Sequence, residues 1–375
     1  MPTASRHPGA QAIPVLVATA SLCALGLSGC FPGNPGSLIS DALPLVLAFR
    51  PIEEVSPDAE PFYLVTLGES VAAGNGLPQQ TKFANQVAAE IQRRTGRPVI
   101  HQRQAASAAT ILRRAGEEQC DSGCFAESPA IPTSIHRQID LVTLPELIDL
   151  VLLTACINDV GVTTIISPDK TDEELADLTR RFCRDEMVTL LSRIRTVMPQ
   201  AHIVVTGYYP IVSQYSHIPP GIDERLYWAS LSAERGLSQW LSIAASHCQT
   251  FNQTARSSLR EAVDRLNTTE VAAPRTLFAD PNFGPEHALF TDDPWLWGLT
   301  NLDPLGLFFF MRMEWIPEDP LFLSRINTCM SNPGASPSPK CYYTSMGHPN
   351  YKGAMAYTNA ILRELESAGI VPATP

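Results

Sequence analysis

Phe62-Tyr63-Leu64-Val65-Thr66-Leu67-Gly68-Glu69-Ser70-Val71-Ala72-Ala73-Gly74-Asn75-Gly76 is the stretch that decides the fold of this chain. Its first six residues are apolar or β-branched with no polar alternation, the pattern of a strand buried on both faces. The serine that follows stands at the strand's carboxyl end between glycines, where an exposed nucleophile belongs. Its own N–H can face a developing oxyanion. The spacing is not G-x-S-x-G, so the nucleophile elbow of that motif is not indicated.

Outward from this loop, strands and helices alternate. Phe83, Val87 and Ile91 recur at four-residue spacing and predict a helix that Gly96 ends. Further strands are expected at Pro98–His101, Leu150–Thr154, His202–Gly207 and Arg275–Ala279. Helical regions are expected over Asp172–Met198, Glu234–Leu266 and Asn350–Ala368. Repeated strand–helix–strand units imply a parallel sheet with helices on both faces, and ligands bind such sheets outside the carboxyl ends of the strands. Residues 116–144, 210–228 and 283–343 fit the alternation poorly, and the first and last of these are expected insertions. With no internal repeat, one elaborated domain over 61–370 is expected.

The chain has 375 residues, of which 45% are hydrophobic and 17% charged, enough for a large core. A formal charge of -11 with no basic block argues against a nucleic-acid partner. The eight histidines are scattered and no metal-spacing motif is present, so neither a metal nor another cofactor is expected.

The N-terminus carries processing signals. Arg6 and His7 precede an apolar run from Ile13 to Leu27, too short and too rich in small residues for a comfortable membrane span. Leu27-Ser28-Gly29-Cys30 resembles the bacterial lipoprotein box, in which the cysteine is diacylated and becomes the mature N-terminus. Residues 1–29 are then a signal peptide, 30–60 a tether rich in turn residues, and Cys30 a membrane anchor in the cell envelope. An ordinary cleaved export signal, giving a secreted protein, is the alternative. Nine cysteines less Cys23 and Cys30 leave an odd seven. Cys120–Cys124 and Cys329–Cys341 are close enough to staple loops, Cys183–Cys248 would tie two helices, and Cys156 is the expected free thiol.

Gly68-Glu69-Ser70-Val71-Ala72-Ala73-Gly74-Asn75-Gly76 resembles block I of the GDSL/SGNH hydrolases, G-D-S-x-x-x-G-x-G, with Glu69 in place of the aspartate. The other blocks follow in order. Ala105-Ala106-Ser107-Ala108-Ala109-Thr110 matches the block II stretch A-x-S-G-A-T, with Ala108 where the oxyanion-hole glycine stands. Cys156-Ile157-Asn158-Asp159 matches G-x-N-D, with Cys156 replacing the glycine. Ser345-Met346-Gly347-His348 matches D-x-x-H without its acid. The run His348-Pro349-Asn350-Tyr351-Lys352-Gly353 resembles the secreted actinobacterial-type lipases and esterases.

The resemblance implies a flavodoxin-like three-layer α/β/α sandwich with a five-stranded parallel sheet. It also implies a carboxylic ester hydrolase with Ser70 as nucleophile and His348 as base. Ser70 N–H, Ala108 N–H and the Asn158 side chain are the implied oxyanion donors. The backbone carbonyl of Ser345 would orient His348, giving a dyad, while Asp292 and Asp293 are rival carboxylates. Phe283-Gly284-Pro285-Glu286-His287, then Asp293-Pro294-Trp295, is similar to a stretch of the same lipase-like branch. With residues 305–311 it forms an acyl-binding wall, an interfacial patch or the core of an insertion, and His287 is read as structural. Acyl esters are the expected substrates. A carbohydrate O-acetylesterase and a catalytically degenerate SGNH binding module are the alternatives.

Overall fold

A computed structural model describes residues 59–119, 127, 132–217, 237–269, 275–300, 316–331 and 343–373. The strands are β1 (Phe62–Gly68), β2 (Val99–Arg103), β3 (Leu150–Thr154), β4 (His202–Thr206) and β5 (Thr276–Ala279). All pair in parallel, in the order β2-β1-β3-β4-β5. The expected five-stranded α/β sheet is therefore present. β3 is buried at every position and β1 at all but Tyr63, as their unbroken apolar runs require, whereas β2 lies at the edge and carries polar residues.

The helices are α1 (Ser70–Ala73), α2 (Phe83–Thr95), α3 (Ile135–Asp140), α4 (Ile157–Val160), α5 (Val162–Ile166), α6 (Asp172–Arg180), α7 (Met187–Val197), α8 (Leu237–Thr269), α9 (Phe322–Ser331) and α10 (Tyr351–Ser367). Phe83, Val87 and Ile91 bury one face of α2, and Gly96 ends it in the left-handed conformation. The chain runs from β1 outward to β2 and then back across β1 to β3. With right-handed crossovers, that reversal puts α2 on one face and the helices that connect β2 through β5 on the other. α10 packs beside α2, while α8 packs along α5, α6 and α7. The reversal opens a crevice at the carboxyl ends of β1 and β3, where such sheets place their ligands.

The helical region expected over Asp172–Met198 is present, running through α6, a π-turn (Arg181–Glu186) and α7. This turn carries Cys183, which is bonded to Cys156 and not to Cys248. Cys156 is therefore not a free thiol; among the described residues Cys248 is free. Cys156 closes β3 against the π-turn, whereas Cys248 is packed inside α8, where burial pushes its thiol up to about 11. The candidate pairs Cys120–Cys124 and Cys329–Cys341, Cys30 with its signal and tether, and residues 305–311 lie outside the described side chains.

The described parts of the second insertion join the domain. Leu296 bridges to Pro349, and a two-stranded antiparallel ribbon, β6 (Leu299–Thr300) with β7 (Ile316–Pro317), extends from it. Phe283, Leu296 and Trp297 are buried in the main core.

Candidate active site

Ser70 begins α1 directly after β1. The preceding Glu69 is the cap of that single turn, its carboxylate accepting the Val71 N–H at 2.8 Å. The extra methylene over aspartate lets the same buried carboxylate also accept from the Tyr208 hydroxyl at 3.2 Å. Tyr208 in turn accepts the Ile157 N–H at 3.3 Å. Burial pushes the Glu69 carboxyl above its usual range, and the donors around it pull the other way.

His348 arrives from the far end of the chain. Its Nε2 lies 2.7 Å from Ser70 Oγ, and its Nδ1 lies 3.2 Å from the Ser345 carbonyl oxygen. A carbonyl can only accept, so Nδ1 carries the proton and Nε2 is left to accept from Ser70. The Ser70 hydroxyl has a second acceptor in Glu69 Oε2, at a longer 3.1 Å. Desolvation holds the His348 imidazolium below the usual 6.5, so the ring is neutral at pH 7.

The histidine loop is fixed by backbone bonds to the Asp293-Pro294-Trp295 stretch and the residues after it. Trp297 N–H donates to the His348 carbonyl at 2.8 Å, Gly347 N–H to the Trp297 carbonyl at 2.9 Å, and Asn350 N–H to the Trp295 carbonyl at 2.9 Å. The carboxylates expected as rivals lie elsewhere. Asp293 pairs with Lys352 Nζ at 2.6 Å and with His287 Nδ1 at 3.3 Å, and Asp292 is exposed. His287 stacks on Trp295 at 3.7 Å between ring centres.

The other two loops meet beside Ser70. Ala108 is exposed and left-handed, with φ 58°. This is the conformation that glycine adopts at least cost, and an L-residue occupies it at about 1 kcal/mol. Cys156 has φ 103° and heads α4, which presents Asn158 and Asp159. One amide hydrogen of Asn158 goes to the Ala109 carbonyl at 2.9 Å, leaving one for another acceptor. Asp159 accepts the Ile111 N–H at 2.9 Å and the Leu112 N–H at 3.3 Å. Ser107 Oγ donates to Asn75 Oδ1 at 2.8 Å, which closes the ring of loops back to the nucleophile.

Some of the site's supports are invisible as motifs. Gln138 on α3 is fully buried and brackets the last residue of β1, its amide donating to the Gly68 carbonyl at 2.8 Å and accepting the Gly68 N–H at 2.7 Å. Asp319, Arg325 and Glu127 form a buried ion cluster behind Ser345. A Cβ on Gly76 would lie 2.7 Å from Ser345 Cβ, so the nucleophile loop touches the histidine loop directly. Among the described residues no group of three or more His, Cys, Asp or Glu side chains is placed to hold a metal ion.

No family model matches the chain, and no curated protein matches it. Several solved structures are similar. An extracellular lipase from Streptomyces rimosus aligns at 14% identity and TM-score 0.43, over 82% of this chain and 99% of that one. A phospholipase A1 from Streptomyces albidoflavus NA297 aligns at 14% identity and TM-score 0.43, over 81% and 99%. A family two carbohydrate esterase from Clostridium thermocellum aligns at 10% identity and TM-score 0.38, over 83% and 66%. At these scores the likeness carries no weight for activity.

Proposed function

We propose that this chain is an exported SGNH-type serine hydrolase that cleaves carboxylic, chiefly acyl, esters. The observation that carries this reading is the 2.7 Å contact between Ser70 Oγ and His348 Nε2, with Nδ1 turned to the Ser345 carbonyl at 3.2 Å. A serine hydroxyl on a neutral imidazole of assigned tautomer, beside a free amide hydrogen, is the apparatus of acyl transfer.

In the proposed reaction His348 Nε2 takes the Ser70 proton as Oγ attacks the ester carbonyl. The oxyanion is received by the N–H groups of Ser70 and Ala108 and by the second amide hydrogen of Asn158, each such donor typically worth about 3 kcal/mol. The imidazolium returns its proton to the leaving alcohol as the C–O bond breaks. A water then attacks the acyl-enzyme, giving its proton to His348, and the carboxylic acid leaves as Ser70 recovers its hydrogen.

The Cys156–Cys183 bond supports export, because disulfides persist in oxidising compartments. The rest of the proposed organisation is a signal over 1–29, a tether over 30–60 and acylation at Cys30. Loss from the membrane fraction in Cys30→Ser tests the anchor, and unchanged fractionation refutes it.

A p-nitrophenyl ester series from acetate to palmitate, run on wild type and Ser70→Ala, tests the activity. Hydrolysis that disappears in Ser70→Ala is expected, with a preference beyond acetate. A sharp acetate optimum points instead to a carbohydrate O-acetylesterase. Absence of Ser70-dependent hydrolysis at every chain length leaves a binding module.

A further inference from the structure

The proposed mechanism leaves a set of buried charges without a task. The Asp319 side chain is 0% exposed and that of Arg325 5%. Arg325 Nη2 donates to Asp319 Oδ1 at 2.9 Å and to Glu127 Oε2 at 2.6 Å. Glu127 is partly exposed and also lies in the field of the Lys82 ammonium, so the fully buried carboxylate of the cluster is that of Asp319.

The cluster grips both halves of the Ser70–His348 pair. Glu127 Oε1 accepts the Gly76 N–H of the nucleophile loop at 2.9 Å, and the Glu127 carbonyl accepts from Thr344 Oγ1 at 3.2 Å. Asp319 Oδ2 accepts the Ser345 hydroxyl at 2.5 Å. Ser345 is also the residue whose carbonyl receives both the His348 N–H, at 2.9 Å, and Nδ1. A carboxylate that a D-x-x-H motif would put at position 345 thus stands one hydrogen bond further back, on a residue brought in by the second insertion.

We infer that Asp319 is the positioning residue for His348, acting through the Ser345 side chain to aim the Ser345 carbonyl at Nδ1 and leaving a negative charge where the imidazolium forms. The inference rests on the serine-hydrolase reading. No proton travels to Asp319: the Ser70 proton moves to Nε2 and then to the leaving alcohol, while Nδ1 keeps its own. Among the described residues, the charged groups around the ring are Glu69 behind Ser70, and Asp319, Arg325 and Glu127 behind Ser345. A cluster that merely braced the fold would change melting temperature without changing turnover by folded molecules.

Ser345→Ala tests this cleanly, since the backbone carbonyl and the Asp319–Arg325–Glu127 cluster both remain. Asp319→Asn and the double variant complete the set, each checked for folding by circular dichroism. For p-nitrophenyl butyrate, each single variant should lower kcat about 10-fold with KM within about twofold, the loss of one hydrogen bond to a charged group. The acidic limb of kcat/KM should move to lower pH, because a negative charge near the imidazolium is removed or mispositioned. The double variant should be no worse than Asp319→Asn. A folded Ser345→Ala with wild-type kcat and an unmoved acidic limb overturns the inference, as do additive losses; if Asp319→Asn fails to fold, Ser345→Ala decides alone. Failure of the underlying reading looks different: wild type and Ser70→Ala would hydrolyse equally, and a fluorophosphonate would not label Ser70.

Discussion

Cys156 and Cys183 are bonded across the base of the turn that presents Asn158, and Cys156 holds a φ of 103° there. A side chain in that region is unfavourable by about 1–3 kcal/mol and persists only where its surroundings hold it. The bond to the π-turn between α6 and α7 supplies that hold. Reduction, or Cys183→Ser, should therefore lower stability by about 3 kcal/mol, the usual worth of a bond closing a short loop. It should also lower kcat more than it changes KM, because Asn158 is proposed to act on the oxyanion. Thermal unfolding and ester hydrolysis with and without a phosphine reductant check both, and unchanged kcat in the reduced, folded protein removes the link to Asn158.

The acid side of the activity profile follows from His348. Only the neutral ring accepts the Ser70 proton, and burial holds its imidazolium below 6.5. kcat/KM should therefore have an acidic limb whose midpoint lies below 6.5. A midpoint above 6.5 in the pH–rate profile would contradict this.

Acid should also unfold the protein through His101. This ring lies 2.7 Å from Thr66 Oγ1, and burial pushes its pKa down to about 4. A folded-state value below the unfolded one means that the native state excludes a proton the unfolded chain takes. The associated stability is present above about 6.5 and is lost as the pH falls toward 4. His101→Gln should flatten the dependence of melting temperature on pH across that window, and an unaltered slope would show that other groups dominate.

Glu69 and Tyr208 form one unit, joined at 3.2 Å inside the core. Glu69→Asp should keep the cap on Val71 and lose the reach to Tyr208, lowering stability by about 1 kcal/mol. Tyr208→Phe should cost a similar amount, and the double variant less than the sum. Strictly additive denaturation midpoints would show that the two act separately.

Ala108 has the left-handed backbone that glycine suits. Ala108→Gly should leave melting temperature and activity level or higher, whereas Ala108→Val should lower both, since a β-branched residue is a true outlier there. Equal behaviour of the two variants would mean that the loop relaxes.

The sheet and the opening of each site loop were legible because they obey local rules. The run Phe62–Leu67 has no polar alternation, and Phe83, Val87 and Ile91 keep a helical period, so both segments announce their burial. Ser70, Asn158 and His348 were found by the order of short motifs along the chain. The cysteine pairing was not legible: helix-to-helix pairing of Cys183 with Cys248 left Cys156 free, whereas the π-turn places Cys183 against Cys156. The sign that existed was Cys156 itself, a cysteine where a glycine-type turn is needed. Asp319, Arg325 and Glu127 carry no motif; they converge from segments separated by up to 198 positions, and only the folded chain brings them behind Ser345.

The clasp of Gln138 on Gly68 bears on anyone who would trim this protein. Gln138 lies within 116–144, the stretch that looks from its composition like a dispensable ornament between β2 and β3. Its amide nevertheless bonds both backbone polar groups of Gly68, the last β1 residue, a glycine whose Cβ would lie 2.3 Å from the Thr154 carbonyl. Excising the ornament to obtain a smaller protein would strand the buried Gly68 N–H just before Ser70 and leave the Gly68 carbonyl with the Ala106 N–H alone. A minimal version of this protein has to keep α3, or redesign the strand end that α3 completes.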